Sequence, residues 1–69
     1  MIHLTKLNGK PFYLNALYIE TVEEFPDTTI SLTDGKKYIV LEKSAEVAKK
    51  IESFYRSVQL MPQAGGEET

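Results

Sequence analysis

The sequence has no cysteine, no tryptophan and a single histidine, His3, among its 69 residues. Without thiols the chain can form neither a disulfide framework nor a thiolate metal site. One histidine likewise excludes a multi-histidine metal site within one chain. A chain this short buries only about 60% of its unfolded surface, which leaves little volume for an enclosed active site. We therefore predict one small domain that is not an enzyme and binds no cofactor.

An excess of one charge sign and a long apolar run are also missing. The chain has 8 basic and 10 acidic residues, and Glu67 and Glu68 account for the difference, so residues 1–61 are balanced. A neutral domain has no field that attracts a polyanion, which argues against a nucleic-acid partner. The apolar stretch Tyr38–Leu41 is far shorter than the roughly 18 residues of a membrane span, and the first residues do not resemble a signal peptide. We expect a cytoplasmic protein without membrane insertion.

Two Asx-Gly dipeptides, Asn8-Gly9 and Asp34-Gly35, predict two β-hairpins. Both dipeptides are typical of the type I′ turn, which needs a positive φ at its two central residues. Alternating apolar residues predict an antiparallel meander of five strands, and a break in the alternation at Glu20-Thr21 predicts a β-bulge. The predicted strands are Ile2–Leu7, Lys10–Leu14, Leu17–Phe25, Thr29–Thr33 and Lys36–Leu41. A turn is expected at Asn15-Ala16.

A change of period after Ser44 predicts one C-terminal helix, from about Ala45 to Gln59, with Ser44 as its N-cap. The fold class is therefore α+β, with the helix packed on one sheet face. Residues 1–60 form the single domain and residues 61–69, which lack an apolar period, a disordered tail. The predicted core consists of Ile2, Leu4, Phe12, Leu14, Ile19, Ile30, Leu32, Val40, Val47, Ile51, Phe54 and Val58.

One helix cannot cover both faces of a five-stranded sheet, so we expect an uncovered apolar face or a free edge strand that supports homo-oligomer formation. This face would contain Leu7, Tyr13, Tyr18, Val22 and either Ile39 or Leu41. Acidic residues cluster around the third strand, and lysines follow the second hairpin turn. Such charges usually form a solvated rim, and a docking surface is the functional alternative. The candidate partner contacts are Tyr18, Glu20, Glu23, Glu24, Asp27, Lys36 and Lys37.

The run Ile2–Lys10, followed by Phe12–Asn15, resembles the opening of the FlbD/SwrD-type flagellar motility proteins. The resemblance continues through Ile19–Glu24, Pro26–Leu32 and Asp34–Tyr38, and it covers roughly residues 1–58. It implies a bacterial, non-enzymatic accessory protein that supports flagellar motor power and swarming. The implied partners are stator or motor components, contacted at the cytoplasmic side of the motor. The family has no established catalytic residues, so the resemblance implies no catalytic site.

A weaker resemblance connects Leu17–Glu20 and Asp34–Tyr38, followed by a helix, with the sheet of LytTR-type DNA-binding domains. It implies the alternative function, a small nucleic-acid-binding or regulatory module. The balanced charge of residues 1–61 argues against this alternative.

Overall fold

In a computed structural model of the chain, residues 1–59 are described, and the predicted tail lies outside them. Five antiparallel strands precede one helix, which confirms the α+β fold. The strands are β1 (Ile2–Thr5), β2 (Pro11–Leu14), β3 (Ile19–Glu24), β4 (Thr28–Leu32) and β5 (Lys37–Val40). A short 3-10 helix, η1 (Ala16–Tyr18), separates β2 from β3, and the C-terminal helix is α1 (Ser44–Gln59).

The strands divide into two sheets instead of one continuous meander. One sheet contains β1 and β2, and the other contains β3, β4 and β5 in that order. An antiparallel bridge between Lys6 and Val40 joins them, and the Leu41 N–H donates to the Thr5 carbonyl at 2.9 Å. The residues that follow β1 therefore lie beside the end of β5, and the two sheets meet at this junction.

The η1 helix separates β2 from β3, and these two strands belong to different sheets. The Asn15 side-chain Oδ1 accepts a hydrogen bond from the Leu17 N–H at 3.0 Å, and the Asn15 carbonyl accepts one from the Tyr18 N–H at 3.0 Å. Ala16 is only 1% exposed and belongs to the core. The strand predicted from Leu17 therefore begins only at Ile19, after the chain has turned from the first sheet toward the second.

Both hairpins form at the Asx-Gly dipeptides, but the predicted type I′ turns are wrong. Gly9 and Gly35 have φ values of 87° and 91°, and no residue other than glycine has a positive φ in the part of the chain that the structure describes. Each turn is a three-residue loop whose last residue is the glycine. The Asn8 and Asp34 side chains instead accept the N–H of Lys10 and Lys36, both at 2.9 Å. The Asx residue thus stabilises the turn by hydrogen bonding rather than by adopting a left-handed conformation.

The core lies between the inner sheet faces and α1. The predicted bulge in β3 is confirmed, since the pairing with β4 shifts between Ile19 and Thr21. The buried apolar residues are Ile2, Leu4, Leu14, Ala16, Ile30, Leu32, Val40 and Val47, and Phe12, Ile19, Val22, Tyr38, Ile51 and Phe54 pack against them. Val58 was predicted in the core, and this is wrong, because its side chain is 49% exposed.

The helix α1 packs against one strand of each sheet, β1 and β3. A helix rises about 1.5 Å per residue, so its 16 residues outreach strands of four to six residues. Val47 in the second turn is fully buried, whereas Tyr55 and Val58 in the last turns are half exposed. The apolar stripe therefore continues past the point where the sheet ends.

Candidate partner-contact surface

The predicted acidic contacts lie on β3 and on the turn that follows it. Glu20 and Glu23 are exposed, and so is Asp27 in the β3–β4 turn. Glu23 projects from the outer sheet face, in one row with Thr29 and Ile39. Among residues 1–59 the one ion pair joins Arg56 and Glu52 on α1, so neither Glu20 nor Glu23 has a salt-bridge partner there.

Glu24 differs from the other acids because its carboxylate is bound within the protein. Its Oε1 accepts the Ser44 N–H at 2.6 Å. The pKa of Glu24 lies below its ordinary value, chiefly because the Ser44 hydroxyl group and then the Ser44 N–H bind the carboxylate. Burial opposes these hydrogen bonds with a smaller effect, and the nearby Lys43 charge lowers the pKa slightly further. Ser44 is the first residue of α1, and the Lys43 carbonyl accepts the first helical bond, from Val47 at 3.0 Å. The helix is therefore capped by a carboxylate from β3 rather than by the predicted N-cap Ser44.

An open groove of about 690 Å³ lies where β3 approaches the start of α1. It is lined by Val22, Glu23, Glu24, Phe25 and Ser44. Phe25 is 97% exposed at the turn that closes this end of β3. The groove thus combines an apolar side chain in water with the exposed carboxylate of Glu23 and with an edge of β3 that pairs with no other strand among the described residues.

A second carboxylate, Glu42, holds the β5–α1 connection to β1. Its two oxygens accept the Thr5 N–H at 3.0 Å and the Thr5 hydroxyl at 2.9 Å. Partial burial by itself raises the pKa of Glu42, but the hydrogen bonds from Thr5 outweigh burial and lower it. Sequence reasoning missed this contact, because the two residues are 37 positions apart and neither belongs to a motif.

The predicted basic contacts lie at the opposite end of β4 from the groove. Lys36 and Lys37 are exposed at the β4–β5 turn, and Lys37 faces Ser31 across the ladder. Tyr18 is 58% exposed near the same end, where its carbonyl accepts the Thr33 N–H at 2.9 Å. The seven candidate residues therefore form two separate groups, with Glu23, Glu24 and Asp27 toward one end and Tyr18, Lys36 and Lys37 at the other. Glu20 lies at the bulge beside Ser31 and Leu32, at the same end as the second group.

The outer sheet face carries most of the exposed apolar residues that the sequence predicted. Leu7, Tyr13, Ile39 and Leu41 are each between 43% and 68% exposed. Both alternatives, Ile39 and Leu41, therefore belong to this face. Val22 does not, because it faces inward and packs against the core beside Ile30. The bulge explains this difference, since one extra residue shifts the following side chains to the other face.

The remaining polar residues suggest no catalytic arrangement. His3 is exposed on β1 and its ring lies 5.1 Å from that of Tyr13 on the neighbouring strand. No cluster of three or more histidine, aspartate or glutamate side chains suited to a metal ion occurs within residues 1–59. In the same part of the chain, no helix has the length and apolarity needed to cross a membrane.

Comparison with known proteins provides the family. The family model described as flagellar and swarming motility proteins, FlbD, matches residues 1–59. The chain belongs to the FlbD family. Its role therefore lies in flagellar and swarming motility, and the family is not a family of enzymes. No curated protein and no solved structure matches this FlbD-family chain.

Proposed function

We propose that this chain is a non-enzymatic accessory protein that supports flagellar motor power and swarming by binding stator or motor components. Binding would occur in the cytoplasm, with the protein peripheral at the motor. The family match supplies the motility role, and the exposed Glu20 and Glu23, which have no ion-pair partner among residues 1–59, supply a surface for protein contact. Charged groups left free on an open surface contribute to partner choice and association rate.

A pull-down from motile cells tests this proposal. The tagged full-length chain is compared with Glu23→Lys and with Glu52→Lys, which makes the same change of charge on α1, outside the groove. We expect stator or motor proteins to co-purify with the wild type and Glu52→Lys, and less with Glu23→Lys. Swarm expansion should fall in parallel. The proposal is wrong if no stator or motor protein is recovered with the wild type.

The exposed outer face supports a second copy of the chain as a further partner. Leu7, Ile39 and Leu41 place three aliphatic side chains in water at the seam between β1 and β5. Burial of such a patch in a homo-oligomer would enlarge the small core of a single chain. Light scattering at micromolar concentration tests this proposal, and a monomer mass contradicts it.

The alternative function, nucleic-acid binding, finds no support in the placement of the basic residues. Lys36 lies in the β4–β5 turn and Lys37 begins β5, whereas Lys49 and Lys50 lie on α1. Phosphate contacts produce a steep dependence of affinity on salt concentration. Binding to a random DNA duplex that falls steeply with salt would therefore favour the alternative, and an absence of binding at low salt would contradict it.

A further inference from the structure

The edge of β3 beside the groove is an unused site for strand pairing. β3 has six residues and pairs with β4 alone, so along its other edge no strand covers it in the described part of the chain. An exposed strand edge presents backbone donors and acceptors to an incoming chain, and proteins use such edges to bind extended peptides. The groove lies between this strand and the start of α1, which leaves room for an extended segment.

The charge of this edge determines which segment fits. Residues 19–27 contain four acidic side chains and no basic one. Glu24 is bound to Ser44, so the carboxylates available to a partner on β3 are those of Glu20 and Glu23. Basic side chains directly opposite them would form favourable cross-strand pairs, whereas acidic ones would repel. Phe25 and the half-buried Val22 add apolar surface at the same place.

The same charges disfavour two occupants that the chain itself could supply. An antiparallel pair of two β3 strands centred on Val22 would place Glu20 of one copy opposite Glu24 of the other, and like charges in such pairs are destabilising. Residues 60–69 carry Glu67 and Glu68 and no basic residue, so their charge has the wrong sign. These charges therefore favour a basic segment of another protein as the occupant.

We propose that the free edge of β3 and its groove take up an extended, basic and apolar segment of a partner protein as an added strand. Backbone hydrogen bonds along β3 would provide affinity. Glu20 and Glu23 would select lysine or arginine, and Phe25 with Val22 would accept an apolar side chain. The inference rests on the proposed function only for the identity of the partner, because the chemistry of the segment follows from β3 itself.

Fluorescence polarisation with designed peptides tests the inference on the full chain. The probe is a labelled eight-residue peptide of alternating lysine and valine. One control replaces lysine by glutamate, and a second carries N-methyl groups on alternate backbone nitrogens, which removes the hydrogen-bond donors of one edge. We expect the probe to bind about tenfold or more tightly than either control, since each removes a contribution on the order of 1.4 kcal/mol or more. Amide exchange of β3 should slow when the probe binds.

Variants of the protein locate the binding site. We expect Glu23→Lys and Phe25→Ala each to weaken binding by about tenfold, and Glu52→Lys to leave it unchanged. Phe25 and Glu23 are exposed, so neither change should unfold the chain. Equal binding of the N-methylated peptide would overturn strand addition, and equal binding of the glutamate peptide would overturn the selection by charge. If the probe does not bind, the acids of β3 only protect an edge from aggregation, and the inference is wrong. These outcomes do not depend on whether stator or motor proteins co-purify with the chain.

Discussion

The same substitution at two positions of α1 should have very different effects on stability. Val47 is fully buried, whereas Val58, eleven residues later on the same apolar stripe, is 49% exposed. The change Val47→Ala removes two methyl groups from the core, which loses about 1.6 kcal/mol of transfer free energy. The cavity adds about 1 kcal/mol where the neighbours do not collapse. Alanine favours the helix over valine by up to about 0.7 kcal/mol. The net loss expected for Val47→Ala is thus about 2 kcal/mol.

The corresponding change Val58→Ala should be close to neutral. Half of the Val58 side chain is already in water, so its removal loses about half of the transfer term and leaves no enclosed cavity. The helix propensity of alanine offsets most of that loss. We therefore expect a change in the free energy of unfolding between zero and about 0.5 kcal/mol. The two variants share chemistry, helix and propensity term, so their difference measures burial alone.

Urea unfolding followed by far-ultraviolet circular dichroism measures both free energies. A domain of this size has a total stability of roughly 3–9 kcal/mol, so a loss of about 2 kcal/mol is well resolved. The slope with urea should be equal for the two variants and the wild type. Equal losses at Val47 and Val58 would refute the placement of the last helical turns beyond the sheet. A negligible loss at Val47 would refute the packing of α1 on the core.

Two further predictions concern the hydrogen bonds between Thr5 and Glu42 and the turn of the second hairpin. The lowered pKa of Glu42 means that its contribution to stability is present above the ordinary glutamate pKa and lost as the pH falls through the lowered value. Thr5→Val should therefore raise the pKa of Glu42 in a carbon-13 NMR titration and destabilise the fold more at neutral pH than in acid, and an unchanged pKa would contradict the contact. At Gly35 (φ 91°) an added Cβ meets no atom within 4 Å, so only the backbone resists substitution. Gly35→Ala should cost about 1 kcal/mol in thermal unfolding and Gly35→Asn less, because asparagine tolerates positive φ, and equal costs would contradict this reasoning.

Local patterns predicted the elements better than their connections. The Asx-Gly dipeptides located both hairpins, because the glycine is needed in either type of turn. The turn type depends on which residues form the last hydrogen-bonded pair of the hairpin, and the identities of Asn8 and Asp34 do not determine that pair. The apolar stripe of α1 predicted the helix, but periodicity contains no information on the extent of the sheet, so the placement of Val58 in the core is wrong. Ser44, the predicted N-cap, is instead the first residue of α1, and the group that caps the helix comes from Glu24, which is distant in sequence.

On the candidate partner-contact surface, too, local features were predictable from the sequence and contacts between distant residues were not. Composition alone identified the acidic run and predicted exposure at Glu20, Glu23 and Asp27, all of which are exposed. It had no means of separating Glu24 from these, because the difference is a hydrogen bond to a residue 20 positions later. The free edge of β3 also depends on a long-range feature, the division of the strands into two sheets that meet at the Lys6–Val40 bridge. Sequence reasoning placed β2 beside β3 and thus missed the edge.

The bridge between Lys6 and Val40 has a consequence for the order of folding. Each hairpin closes a short loop and can form early, whereas this junction and the neighbouring Thr5–Glu42 contact close loops of roughly 35 residues at a larger entropic cost. We expect the junction to form after the hairpins. We expect α1 to dock on the sheets once Thr5 binds Glu42, which lies just before the helix. Truncated chains would therefore present a two-stranded and a three-stranded sheet whose inner faces remain open to water. The last step of folding is therefore the association of the two sheets at the Lys6–Val40 bridge.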